Sequence, residues 1–217
     1  MPAARGRQHR LGEAVVVKLG GSLVESPHLS AWLAHLSASR GRTILVAGGG
    51  PFADAVRMAQ RQRPFADKAA HLMAILAMEQ FALMLAALEP GLRPAASRAA
   101  IEAARREGVT SVWLPSRMTM GAPDIPESWD VTSDSLAVWL ALKLGAPRVL
   151  LVKSAALPAG NISAAAMAEA GIVDPLLPRF LAGSAIECRC IEASGAADFA
   201  AALAAGRLAG TLLRDND

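Results

Sequence analysis

The stretch VVVKLGGSLVES, residues 15–26, sets three valines and a lysine ahead of two adjacent glycines and a serine. Val15 to Leu19 reads as a buried strand, and Gly20-Gly21 as a tight loop whose backbone N–H groups can approach an anion closely. Lys18 is the residue that needs a reason, because a charge among valines is costly unless an anion meets it. A surface lysine at a strand end is the plainer alternative. Neither common phosphate motif applies. A dinucleotide fingerprint needs Gly-x-Gly-x-x-Gly, and a P-loop places its lysine after the glycines, not before them.

Working outward, strand-like and helix-like runs alternate. Ala14–Leu19 is followed by a helix over Leu29–Ser39 and a second strand, TILVA, at Thr43–Ala47. Three glycines, Gly48 to Gly50, come next, and Pro51 stands in the first turn of a further helix, where its missing N–H costs nothing. Ala69–Leu88 is one long apolar helix. A short helix around Arg98–Glu107, a strand at Ser111–Leu114 and a loop with Pro115, Pro123 and Pro126 lead to a helix over Thr132–Leu144. Asp130 or Thr132 is its candidate cap and Gly145 its stop. Arg148–Val152 and Ile186–Ile191 are further strands, and Ala196–Ala205 a late helix. Strands that are apolar without alternation, separated by helices, predict an α/β fold with a mainly parallel sheet covered on both faces.

Length and composition limit the function. With 217 residues, 53% of them hydrophobic, the chain supports one sizeable core, so a single domain over 14–217 is expected after a flexible segment over residues 1–13. The net charge of +3 comes from scattered arginines, and five Phe, four Trp and no Tyr leave little for stacking bases, so no nucleic-acid partner is expected. Cys188 and Cys190 lie two apart on a strand and read as buried thiols on one face. His9, His28, His35 and His71 have no ligand spacing, so no metal site is assigned to the side chains. The Ala69–Leu88 helix has nearly the length of a membrane span, but His71, Glu79 and Gln80 interrupt it. It reads as a core helix apolar on more than one side, which predicts a homodimer through it and no membrane partner. Without the apolar stretch of a signal peptide near the start, a cytoplasmic location is the expectation.

In a parallel sheet ligands bind beyond the carboxyl ends of the strands. That rule gathers Lys18 to Ser22, Gly48 to Gly50 and Lys153. Two glycine loops and two lysines suggest a polyanionic ligand. The ordered set Lys18-x-Gly20-Gly21-Ser22, Gly48-Gly49-Gly50 and Thr132-Ser133-Asp134 resembles the amino acid kinase family. The likeness runs from about Ala14 to Leu213. GGGPFADAVRMAQ, ADKAAHLMAILAMEQFAL and WDVTSDSLAVWLA are similar, within it, to the small kinases of aminomethylfuran phosphates in methanofuran-type cofactor biosynthesis.

The resemblance implies a three-layer α/β/α sandwich, ATP and Mg²⁺ as cofactors, and a small phosphate or carboxylate acceptor. It implies Lys18 and Asp134 as catalytic residues, with Asp134 holding the catalytic lysine in place; Lys153 is expected to join them. Gly20, Gly21, Ser22, Lys153, Ser154 and Asp174 would contact the nucleotide. Gly48, Gly49, Gly50, Asp54, His71, Thr132 and Ser133 would face the acceptor, with Asp67 nearby. Each has a plainer reading: Asp134 as a first-turn carboxylate favoured by the helix dipole, His71 as a packed histidine, and Asp174 as the cap of the short helix after it. The chain also departs from the family. LLVKSAALPAGN lacks the Thr-Asp and Asp-Gly positions common after this strand, and GIVDPLLPRFLAG lacks the late lysine of the members that act on amino acids. Lys153, ahead of Arg179, is the expected replacement. A non-catalytic binding subunit with the same fold remains the alternative, as does an amino-acid or uridylate kinase.

Overall fold

A computed structural model describes residues 14–158 and 162–214; the segment over 1–13, expected to be flexible, and the last three residues of LLVKSAALPAGN lie outside it. The strands are β1 (Val15–Leu19), β2 (Thr43–Ala47), β3 (Leu92–Ala95), β4 (Thr110–Trp113), β5 (Arg148–Lys153), β6 (Ile162–Ser163), β7 (Glu187–Glu192) and β8 (Thr211–Arg214). The α-helices are α1 (Leu29–Ala38), α2 (Gly50–Gln62), α3 (Asp67–Leu88), α4 (Arg98–Arg106), α5 (Ser116–Thr119), α6 (Ser133–Leu144), α7 (Ala164–Glu169), α8 (Leu177–Leu181) and α9 (Ala196–Ala204). A 3₁₀ turn, Gly21–Glu25, follows β1.

The strands join in one sheet of order β3-β4-β2-β1-β5-β7-β8-β6, parallel from β3 through β7, with β8 antiparallel to β7. Three short strands were not expected from the sequence. β3 carries Pro94, which a strand tolerates at a sheet edge, and β3 is an edge strand. β6 and β8 are two and four residues long, too short to register as a pattern.

Alternation along β1 decides which side chains meet which layer. Val15, Val17 and Leu19 pack under α1 and α9, against Trp32, Leu36 and Phe199. Val16 faces the other layer, where Leu136, Leu140 and Leu144 of α6 and Leu177 of α8 cover the sheet. Lys18 lies on this second face, one pleat beyond Val16. α6 is buried almost all round because it lies between the sheet and α8, and it ends where Gly145 turns left-handed at φ +69°.

α3 packs into both layers, Ile75 and Met78 on one side and Phe81 and Leu85 on the other. It is long and apolar enough to cross a membrane by length and composition. Its polar interruptions have local partners instead: the Ser116 N–H donates to Glu79 at 2.8 Å, and His71 bonds to the Ser128 carbonyl. Met73, Leu76, Leu83 and Leu88 remain exposed along its outer side. Cys188 and Cys190 are both buried under α6, as the strand spacing predicts. Burial raises both thiols, Cys190 to about 12, so neither is a thiolate at neutral pH.

Candidate functional site

β1 and β5 are paired with Lys18 opposite Leu151 and Leu19 opposite Val152, so Lys153 lies two residues further along the neighbouring strand. In a parallel pair that offset puts Lys18 and Lys153 diagonally on the same face. The first turn of α6 comes down on both. Asp134 Oδ1 lies 2.8 Å from Lys18 Nζ, and Oδ2 accepts a hydrogen bond from Lys153 Nζ. The Lys18 contact is one of charge only, since Oδ1 has no hydrogen bond of acceptable direction.

All three groups are nearly sealed from water: Lys18 is 6% exposed, Lys153 8% and Asp134 4%. Two ammonium groups on one carboxylate leave one positive charge in excess. Burial would push the Asp134 carboxyl up, but the charges of the two lysines, with the hydrogen bond from Lys153, outweigh it and hold the group below its usual range. Burial, and then the charge of Lys18, push Lys153 below the ordinary lysine value, with Asp134 opposing them. A buried cluster with unbalanced charge is costly by itself, and such clusters mark places where a ligand of the missing sign binds.

The two glycine loops pack against each other. A Cβ on Gly21 would lie 2.3 Å from the Gly50 nitrogen, and one on Gly48 would lie 2.5 Å from the Gly21 nitrogen. Gly48 N–H donates to the Leu19 carbonyl at 2.8 Å. Side chains at Gly21 or Gly48 would therefore force the strand ends apart. Gly20 has no such constraint, its nearest contacts being 3.4 Å. Gly50 opens α2 with φ +54°, a backbone that glycine adopts without strain. Beyond the lysines, the Ser22 and Ser154 hydroxyls bond to each other at 2.7 Å and link the loops after β1 and β5. Glu192, opposite Lys153 in the register, accepts from the Leu157 N–H at 2.9 Å and holds the loop after β5.

Asp174 is buried at the start of α6 and not on the short helix after it, which corrects its reading as the cap of α8. Its Oδ2 accepts from the Thr132 and Ser135 N–H groups at 2.9 Å each, and its Oδ1 accepts from the Thr132 hydroxyl. Thr132, the N-cap residue, makes no capping bond with its own side chain, so the cap is supplied from 42 residues away. Burial, followed by the nearby charge of Asp134, raises the Asp174 carboxyl above its usual range. Arg179 is exposed on α8, and Lys153 is the second cation at Asp134.

On the side of Lys18 away from β5 a cleft of about 280 Å³ opens between α2, α3 and the segment before α6. Of the expected residues, Lys18, Gly21, Ser22, Gly49, Gly50, Asp54, His71, Thr132 and Ser133 line it. Gly20, Gly48, Asp134, Lys153, Ser154 and Asp174 do not; Gly48, at the end of β2, is packed against Gly21. Asp67 bonds to Gln60 at the turn between α2 and α3. Arg57 and Trp129 also line the cleft and were missed in the sequence. Arg57 lies 4.6 Å over the Trp129 ring and 3.0 Å from Asp54, and Trp129 Nε1–H donates to Gln60 at 2.7 Å. Arg57 was legible in principle, since Gly50, Asp54 and Arg57 recur at helical spacing on one face of α2. Trp129 sits in a loop, where no periodicity points to it.

The charged groups fit a polyphosphate: two buried lysines share one carboxylate and leave one positive charge in excess. They do not fit a directly ligated Mg²⁺. Among the described residues no cluster of three or more His, Cys, Asp or Glu could hold a metal ion, and Asp134 is already engaged by two lysines.

A parallel sheet with glycine loops and lysines at its strand ends defines an α/β protein whose candidate ligand site lies beyond the carboxyl ends of the strands. Residues 13–156 match the model of the amino acid kinase family, and the chain belongs to that family. Over 138 residues it is 24% identical to the (5-(aminomethyl)furan-3-yl)methyl phosphate kinase of Methanocaldococcus jannaschii, and the match covers 63% of each chain. Uridylate kinase from Archaeoglobus fulgidus has a similar fold, with a TM-score of 0.67 at 16% identity over 93% of this chain and 100% of that one. UMP kinase from Bacillus anthracis gives 0.70 at 14% identity, covering 94% and 97%. An isopentenyl phosphate kinase gives 0.58 at 17%, covering 92% and 100%. These structural likenesses establish the three-layer α/β/α fold.

Proposed function

We propose that the protein is an ATP-dependent kinase that transfers the γ-phosphoryl group to an oxygen of a small phosphomonoester, with an aminomethylfuran phosphate as the specific acceptor. The observation that carries this reading is the buried Lys18-Asp134-Lys153 cluster, set beside an open cleft. An acceptor oxygen attacks the γ-phosphorus, the bond to the β–γ bridging oxygen breaks, and its electron pair leaves on ADP. A phosphate acceptor is already ionised at neutral pH, so positioning and charge stabilisation suffice and no general base is needed. Lys18 lines the cleft and also touches Asp134, which supports a role for it between donor and acceptor, with Lys153 on the donor side. Asp134 fixes both ammonium groups before the substrates arrive, so little reorganisation is left for the reaction itself. Gly49 and Gly50 at the start of α2 offer backbone N–H groups to the acceptor phosphate. Mg²⁺ would be carried by the nucleotide phosphates and would neutralise charge there.

The carboxylate-poor loop after Lys153 favours a second reading, a binding protein that keeps the fold without turnover. A coupled assay of ADP release over candidate acceptors separates the two. Wild type is expected to turn over a phosphomonoester, and Lys18→Ala to lower kcat by at least ~10²-fold. Equal inactivity of both on every acceptor, the furan phosphate included, would defeat the kinase reading. The reading places the protein in the cytoplasm, where ATP is available.

A further inference from the structure

His71 is buried in the second turn of α3, yet it lines the cleft. Its Nδ1 lies 3.1 Å from the Ser128 carbonyl oxygen. A carbonyl can only accept, so the proton is on Nδ1. Nε2 has no hydrogen bond among the described residues, and it is not among the buried polar atoms left unpartnered, so it has access to the cleft. With Nδ1 donating to Ser128, the ring presents Nε2 to the cleft as the open acceptor. Around it the walls are apolar, formed by Ala74, Ile75, Met78 and the Trp129 ring, and Asp54 is the one carboxylate among the lining residues.

We propose that His71 Nε2 is the specificity-determining acceptor of this cleft, reading a hydrogen-bond donor, an amine foremost, at the non-reacting end of a flat phosphomonoester whose phosphate lies at Lys18 and α2. The inference rests on the kinase reading for the location of the acceptor phosphate, but it can be tested by binding alone. The Ser128 carbonyl fixes the tautomer, Trp129 and Ile75 cover the flat body, and Asp54 supplies a compensating negative charge for an ammonium. An analogue with a methyl group in place of the amine leaves Nε2 buried and unpaired once the cleft is filled, and that loss is the basis of discrimination.

The test is isothermal titration of three ligands that differ at one position of the furan phosphate: aminomethyl, hydroxymethyl and ethyl. Wild type is expected to bind the aminomethyl ligand at least ~10-fold more tightly than the ethyl one, with hydroxymethyl between them. His71→Gln, whose carbonyl oxygen can stand where Nε2 stands, should keep most of that preference. His71→Asn, which reaches Ser128 but not into the cleft, should lose it while melting within a few degrees of His71→Gln. Equal binding of the three ligands by wild type, no binding of any, or an unchanged preference in His71→Asn overturns the proposal. Discriminating binding without turnover leaves it standing and removes the kinase reading, whereas turnover without discrimination does the reverse.

Discussion

Lys153 is placed where its own charge is hardest to keep. Burial and the neighbouring ammonium of Lys18 both favour its neutral form, and Asp134 restores only part of the balance. As pH rises, the free protein therefore gives up this proton below the ordinary value of about 10.5. If Lys153 must be charged to hold the donor phosphates, kcat/KM falls along an alkaline limb below that pH. In Lys153→Arg the guanidinium keeps its charge, so the limb should move upward even if the rate at pH 7 is lower. A limb at the same pH in both proteins would show that another group is titrating. The same shift acts against the fold. Below the folded pKa the native state binds this proton less tightly than the unfolded chain, which is a cost, and the cost fades as pH rises towards 10.5. Asp134 has the opposite sign: its lowered pKa contributes stability above the unfolded value near 3.8, lost as pH falls through the folded one.

At the scale of elements, the two glycine loops do different work from what their composition suggests. Gly21 and Gly48 allow the ends of β1 and β2 to touch backbone to backbone, and this contact sets α2 against Lys18. Gly48→Ala is expected to destabilise the protein by roughly 1–3 kcal/mol, as overpacking does, and to lower kcat with it. Gly20→Ala, which meets nothing closer than 3.4 Å, should unfold within about 1 kcal/mol of wild type. Urea titrations of the two variants give the comparison; equal loss at both sites would mean that the contact between loops is not what holds them. From the sequence, both glycine runs look like anion loops. Only the register of β1 against β2 distinguishes the ones that touch backbone from the one that does not.

Across the whole molecule, α3 is the element left incompletely covered. Its inner sides fill both layers, while Met73, Leu76 and Leu83, with exposures of 40%, 45% and 51%, form a stripe at helical spacing on the outside. A homodimer through this helix is therefore expected, as its apolar composition predicts. Light scattering at micromolar concentration should report a dimer for wild type and a monomer for Leu76→Glu/Leu83→Glu; a wild-type monomer would sink the idea. The dimer would also lie close to the cleft, since α3 carries His71 on its inner side and this stripe on its outer side.

Much of the fold was legible in the sequence because its signals are local. Apolar runs gave β1, β2, β4, β5 and β7, proline and glycine marked the helix ends, and the apolar face of α6 ended at Gly145 as its chemistry requires. The glycine loops, Lys18, Asp134 and Lys153 were also readable, because strand ends of a parallel sheet are where such residues gather. What no local pattern carries is pairing between distant segments. Tertiary structure alone decided that Asp174 caps α6 across 42 residues, that Arg57 lies on Trp129, and that Ser128 fixes the tautomer of His71. Each depends on register and helix placement, which are set by burial of the whole core. The sequence marked Lys18 as a charge that needs a partner; the packing of α2, α3 and α6 around it decided that Asp134 meets it and decided the shape of the cleft beside it.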